Sequence, residues 1–372
     1  MSMRLKRWLS VGLLVVASSV LAQDEPDFDP ASDTLDAPAP AWRWFGELTL
    51  RGDRVTGLPG GREDLERARS RVRWGGLWND HSDDGVAFGF ALEGAIGTGS
   101  NKRSLVNNDV EDVDGLGLDQ LWVRKRFGSA DGLTGQALLG VAPLPLELSP
   151  MLWDDDLRPV GAGLRLGAAA GDLNRWQIDV GSFVPDPLNE REARLNAAQF
   201  GWHWREGAPT SAGLLIGYLD WSDLDDLARA GLGRGNSLVA GRYRFDYRLL
   251  DAQVYLRRQM GEKALVARLD RVTNLDADND DDGTRASLVY GDRLNQPGWE
   301  FGWAWQRIQR DAVLAAMTAD DWWFHTAARG HMPWVGYGIN ATWSLRVAGF
   351  FETRDGLNDR TRRLLIDLDA RW

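Results

Sequence analysis

The sequence predicts an all-β fold, a transmembrane antiparallel β-barrel of about 16 strands, with roughly 14 to 18 as the bounds. Three observations predict it. From Trp42 onward, apolar and polar residues alternate in runs of ~9–13 residues, the length a tilted strand needs to cross a bilayer. The chain holds 19 Trp and 42 Gly beside 26% charged residues, as expected of a wall that turns apolar side chains to lipid and polar ones to water. Beyond the N-terminal stretch, no segment approaches the ~20 apolar residues of a spanning helix.

The chain opens with Arg4, Lys6 and Arg7 before an apolar run from Trp8 to Leu21, and Val20-Leu21-Ala22 offers a cleavage point before Gln23. Residues 1–22 read as a secretory signal peptide. Losing its three cations takes the formal net charge from −11 to −14, which disfavours nucleic acid as a partner. With 0 Cys, disulfides and thiolate metal sites are excluded. Residues 23–41, rich in Asp, Pro and Ala without periodicity, read as a disordered acidic leader, and the barrel is expected over 42–372.

The first strand sets Trp42, Trp44, Leu48 and Leu50 against Arg43, Glu47, Arg51 and Asp53. Val86, Phe88, Phe90 and Leu92 then alternate with Ala87, Gly89, Ala91 and Glu93, and Trp176, Ile178 and Val180 with Arg175, Gln177 and Asp179. Phe200, Trp202 and Trp204 alternate with Gln199, His203 and Arg205, and Trp299, Phe301, Trp303 and Trp305 with Glu300, Gly302, Ala304 and Gln306. Val335 through Val347 keeps odd positions apolar. In the last run Leu364, Ile366, Leu368, Ala370 and Trp372 oppose Arg363, Leu365, Asp367, Asp369 and Arg371. A soluble sandwich, with typical strands of ~5–6 residues, would need a very large shared core to cover these Trp-rich faces.

Short polar turns separate the runs at Asn79 to Asp84, Gly128 to Gly132, Gly171 to Asn174 and Glu206 to Pro209. Longer stretches lie between them at Ile96 to Gly115, Pro143 to Pro159 and Asp220 to Gly235. Such alternation suits a barrel with short turns on one side and long loops on the other. Two segments break it: the acidic Asn274 to Gly283, and Gln309 to Pro333, where a short helix is expected around Asp311 to Ala319.

Specific residues carry a family resemblance. Asp119 to Arg124, the strand Gly135 to Ala142, Pro143 to Pro150 and then Leu152-Trp153-Asp154-Asp155-Asp156-Leu157-Arg158-Pro159-Val160-Gly161 follow in order. This succession resembles a porin family of Gram-negative outer-membrane β-barrels, in which a "lWDxDlxPxG" segment follows a Gly-rich, Pro-containing turn. Asp320 to Thr326 with Gly330, Tyr337, Gly338 and Trp343 is similar to the family's Asp-rich loop, and Arg362 to Trp372 to its closing strand. Trp372 stands where the family usually ends in Phe. The resemblance implies that Trp372 is the insertion signal read by the barrel-assembly machinery, and that outer-membrane lipid and small hydrophilic solutes are the other partners. Porins of this shape are often homotrimers, although no oligomer face is identifiable in the sequence.

On the water-facing parity, Arg67, Arg69, Arg71 and Arg73 form a ladder about 7 Å apart along one wall. Arg124 and Arg126 share a second strand face, and Arg242 and Arg244 a third. Guanidiniums stay charged in a pore, so these residues favour anions or carboxylate-bearing solutes. The blander reading pairs them with Glu47, Asp53, Asp179, Asp246 and Asp270. The loop Leu144 to Pro159 occupies the slot that folds inward in porin-like barrels, which would set Glu147, Asp154, Asp155 and Asp156 against the arginines, with Trp153 beside them. The alternative is an external loop with Trp153 anchored at the membrane edge.

Asp276, Asp278, Asp280 and Asp282 have the alternate-residue spacing of calcium loops, but no EF-hand glutamate follows, so a solvated acidic loop is the leading reading and no metal is expected. None of His81, His203, His325 and His331 has the spacing of a nucleophile's partner or a zinc pair, and the chain is not expected to be an enzyme or to need a cofactor. The expectation is a porin passing small hydrophilic solutes, with an anion leaning. A channel selective for one anion or organic acid and a plugged structural or adhesive barrel are the alternatives.

Overall fold

Long strands with one apolar and one polar face cannot sit in lipid as an open sheet, because the edge would leave backbone N–H and C=O groups unpaired in hydrocarbon. The chain accordingly closes into one antiparallel barrel. The computed structural model describes residues 41–79, 85–97, 116–128, 132–171, 173–185 and 193–372. The expected signal peptide and nearly all of the leader, His81, most of the stretch 96–115 and parts of the turns 79–84 and 128–132 lie outside these residues.

The first barrel strands are β1 (Ala41–Thr56), β2 (Leu65–Asn79), β3 (Val86–Gly97), β4 (Leu116–Gly128) and β5 (Leu133–Val141). Then come β6 (Val160–Ala169), β7 (Arg175–Val184), β8 (Arg194–Trp204) and β9 (Thr210–Ser222). A helix α1 (Asp225–Arg229) and a small ribbon of β10 (Leu238–Val239) and β11 (Arg242–Tyr243) interrupt the wall. It resumes with β12 (Tyr247–Met260), β13 (Lys263–Asn274), β14 (Asp282–Tyr290) and β15 (Gly298–Ile308), and ends with β16 (Ala328–Gly338), β17 (Trp343–Arg354) and β18 (Arg360–Arg371). Apart from the ribbon, neighbouring strands in the chain are neighbours in the wall, and β18 pairs with β1 to close a ring of sixteen.

Closure is tight at the seam. Glu47 stands opposite Arg371, and the Gly46 and Trp372 backbones exchange hydrogen bonds of 2.8 and 3.0 Å. A Cβ at position 46 would lie 2.4 Å from the Trp372 indole, so glycine lets the ring lie flat across the seam. On the outer face Trp44 stacks on Trp74 at 5.0 Å and Trp299 meets Tyr337 at 4.9 Å, with Trp42, Phe90 and Phe301 beside them. These rings all sit near the short-turn rim, where amphipathic aromatics suit the membrane interface.

Two local expectations change. The apolar parity from Val335 to Val347 spans two strands, since the chain reverses at 339–342 between β16 and β17. Asn340 drives the reversal by accepting the N–H groups of Thr342 and Trp343, each at 2.8 Å. A four-residue turn preserves odd-even parity, so alternation alone passes through it unmarked. The helix expected over Asp311 to Ala319 shrinks to a 3-10 turn, Ala315–Met317. There Asn236 accepts from the Ala315 N–H and donates to the Arg310 and Val313 carbonyls at 2.7 to 2.9 Å, taking backbone groups that a longer helix would pair.

Candidate functional site, a charged constriction inside the barrel

The lumen-facing parity of β2 carries Arg67, Arg69, Arg71 and Arg73, and the polar faces of the adjoining strands add Arg51 (β1), Arg363 (β18) and Arg346 (β17). Seven guanidiniums on four neighbouring strands repel one another unless carboxylates lie between them. They do. Asp53 takes Arg363 through two hydrogen bonds of 3.0 Å, pairs with Arg67, and lies 3.6 Å from Arg69. Asp367 binds Arg51 at 2.6 Å and Arg346 at 3.3 Å. Arg73, 1% exposed, is held by Glu47 at 2.9 Å, Glu93 at 3.0 Å and Asp119 at 2.8 Å.

The remaining carboxylates arrive on two loops that fold into the lumen. From the β5–β6 loop (142–159), Asp156 pairs with Arg71. From the β15–β16 loop (309–327), Asp321 bridges Arg51 and Arg346 at 2.7 Å each, while Asp320 lies 3.9 Å from Arg69. Arg363 also donates to the main-chain carbonyls of Asp320 and Asp321 at 2.6 Å. The two loops join through Asp154, whose carboxylate accepts the Asp156 and Asp320 N–H groups at 2.9 and 3.1 Å. Its own N–H donates to Met317 at 2.8 Å.

Across the lumen the same β5–β6 loop meets the opposite wall. Gln199 (β8) and Gln253 (β12) each donate to the Glu147 carbonyl at 2.8 Å, and Gln177 (β7) donates to its carboxylate at 3.1 Å. Glu147 thus faces glutamines while Asp156 faces arginine, and between these anchors the loop spans the lumen. Trp153, 3% exposed, stacks at 6.4 Å on the lumen-facing Trp221, so it packs inside the barrel and not at the membrane edge. Leu152, Leu157, Leu227, Leu314 and Met317 join it in one apolar cluster built from three inward segments.

Electrostatics separate the loop carboxylates. Burial pushes Asp154 well above the usual carboxylate range, helped by the charges of Asp156 and Asp320, and burial likewise raises Asp320. Burial also opposes ionisation of Asp321 and Asp156. The Arg51, Arg346 and Arg363 charges nevertheless hold Asp321 well below its ordinary value, and Arg71 and Arg73 lower Asp156. Burial depresses His325, next to Thr318 at 2.7 Å and Arg234 at 3.1 Å, so it stays neutral.

Arg124 and Arg126 occupy the lumen parity of β4, Arg124 over the Trp122 ring at 5.6 Å. Arg242 and Arg244 do not line the lumen. Ala240 and Gly241 adopt positive φ and turn the chain into the β10–β11 ribbon, so the wall starts only at Tyr247. Arg242 pairs there with Asp225 at 3.2 Å, and Arg244 covers Phe245 at 4.9 Å. The acidic run 276–282 does not converge either. Asp276 is taken by Arg248 and Asp282 by Arg271, and no group of three or more metal-ligating side chains occurs among the described residues. His203 faces the lumen, bound to the Tyr255 hydroxyl at 2.9 Å, while His331 lies on the outer face beside Trp303. In the sequence, Asp320 and Asp321 show only as part of a family-like segment, Gln177 and Gln199 only as polar-face residues, and Gln253 carries no signal.

No family model and no curated protein matches the sequence. Solved structures do match in shape. Pseudomonas putida OprB superposes with a TM-score of 0.55 at 12% identity, over 89% of this chain and 94% of its own. Salmonella typhi OmpF, solved with daunomycin, gives 0.54 at 9% identity, over 89% and 97%. A mutant of Rhodopseudomonas blastica porin gives 0.50 at 11% identity, over 88% and 100%. This chain therefore has the sixteen-stranded barrel fold of porins.

Proposed function

We propose that this chain is an outer-membrane porin that passes small hydrophilic solutes through a water-filled lumen, leaning towards anions, without turnover. The observation that carries the reading is the arginine wall of β17, β18, β1 and β2 facing two inward-folded loops whose carboxylates it holds. Such a constriction sorts solutes by size and sign, because fixed charges in a narrow, partly desolvated passage act at close range. Arg51 and Arg71 keep 12% and 14% of their side chains exposed, so the wall meets the lumen's solvent as well as its partners.

The test is the reversal potential under a salt gradient. Arg69→Ser/Arg71→Ser is expected to lower anion preference without abolishing conductance, and an unchanged reversal potential would sink the filter. A second reading, a plugged barrel, is favoured by the apolar cluster of Leu152, Trp153, Leu227 and Leu314 that fills part of the lumen. It predicts a folded, heat-modifiable barrel that inserts into a bilayer and shows no conductance steps.

A further inference from the structure

On the outer face of the barrel, one line of register runs through six strands near the long-loop rim: Arg271, Thr284, Arg307, Arg329, Thr353 and Arg360. All six lie on the lipid-facing parity, shared with the exposed Leu269, Leu288, Trp303, Phe351 and Leu364. Arg307 and Arg329 are directly opposed on β15 and β16, where like charges on paired strands destabilise each other. Arg271 is compensated by Asp282 at 2.6 Å. Arg307, Arg329 and Arg360 are exposed and make no ion pair or side-chain hydrogen bond among the described residues.

Their height along the wall says what compensates them. Two residues nearer the barrel's middle, about 7 Å back along the tilted strands, the matching line reads Leu269, Ala286, Trp305, His331, Phe351 and Arg362. The arginines therefore stand just above a largely apolar, aromatic stretch, at headgroup depth on the long-loop side. Guanidiniums bind phosphate oxygens in bidentate pairs, and hydroxyls of Thr284 and Thr353 flank them as further donors.

We propose that this band is a binding site for phosphorylated lipid headgroups of the leaflet facing the long loops, with Arg307 and Arg329 sharing one phosphate. The proposal needs the barrel to be membrane-embedded but does not depend on conduction. The probe is bisphosphorylated lipid A added to the folded chain in detergent, with bound lipid counted by native mass spectrometry.

Arg307→Ser/Arg329→Ser is expected to weaken binding about 30-fold, the combined effect of two guanidiniums at a charged lipid surface. The fully dephosphorylated lipid should bind the wild type no better than the phosphorylated lipid binds the variant. Arg307→Lys/Arg329→Lys, which keeps both charges but loses the bidentate fork, should weaken binding less than the Ser variant does. Heat-modifiable migration reports folding and single-channel conductance reports the lumen, and both should be unchanged in the two variants. Equal lipid binding by the Ser variant, or equal binding of the dephosphorylated lipid, overturns the proposal. So does displacement of the lipid by millimolar inorganic phosphate alone, or loss of self-association in the Ser variant with lipid binding intact.

Discussion

Arg73 shows how far a single side chain can be committed. It is 1% exposed and touches Glu47, Glu93 and Asp119, so its removal takes the nearest cation from three carboxylates, leaving them only the longer contacts to Arg371, Arg71 and Arg158. Arg73→Met should cost about 3–5 kcal/mol of stability, read from urea unfolding of the folded barrel. Arg71 differs, because it pairs with Asp156 on a loop and keeps contact with solvent. Arg71→Ser should leave stability nearly unchanged and move the reversal potential towards cations, as Asp156 loses its counter-charge. The positions of these arginines were legible from parity alone, since β-strand side chains alternate faces. Their partners were only half legible: Glu47 and Asp53 lie on the next strand in register, whereas Asp156, Asp320 and Asp321 come from loops, whose paths no periodicity specifies.

Among the elements, the β5–β6 loop is the one most strongly determined by its contacts. Its apolar residues pack on Trp221, Leu195 and Leu219, and its backbone is tied to β8 and β12 through Gln199 and Gln253. Trp153→Ala should destabilise the loop by about 3–5 kcal/mol. Single-channel records should then show a larger, noisier conductance, while gel migration still reports a closed barrel. An unchanged conductance would mean that the loop does not narrow the passage. The inward fold was readable from the loop's place in a family-like succession of residues, and the glutamine cradle was not. Gln177 and Gln199 look in sequence like any polar-face residues and Gln253 carries no signal, and their convergence follows only from closing the ring so that β7, β8 and β12 face β2. The β10–β11 ribbon misled for a related reason, since Arg242 and Arg244 alternate as if on a strand although Ala240 and Gly241 have already turned the chain.

At the scale of the whole molecule, the constriction should respond to pH in one direction. Asp154 and Asp320 are raised, so the folded chain binds their protons more readily than the unfolded chain and the loop clasp gains stability as pH falls through their folded values. Asp156 and Asp321 are lowered, so their ion pairs last until pH drops below the ordinary carboxylate range of about 4. Within that window the passage loses negative charge while its arginines stay charged. Anion preference should therefore rise as pH is lowered towards, but not below, the ordinary carboxylate range, read as reversal potential against pH; a drift towards cations would count against the assignment of these carboxylates. The barrel itself, its strand number and its lipid-facing aromatics were legible because alternation of hydrophobicity is imposed on every strand by the same two solvents. The plug-like packing of three inward segments was not, because buried loop residues such as Leu152, Leu227 and Leu314 carry no period.

The most direct test of the central claim is single-channel recording of the refolded protein in a planar bilayer, with the reversal potential taken under a salt gradient. The account predicts stable conductance steps with anion preference. A correctly folded, inserted barrel without steps would contradict it and leave a plugged wall whose arginines serve only to hold its loops.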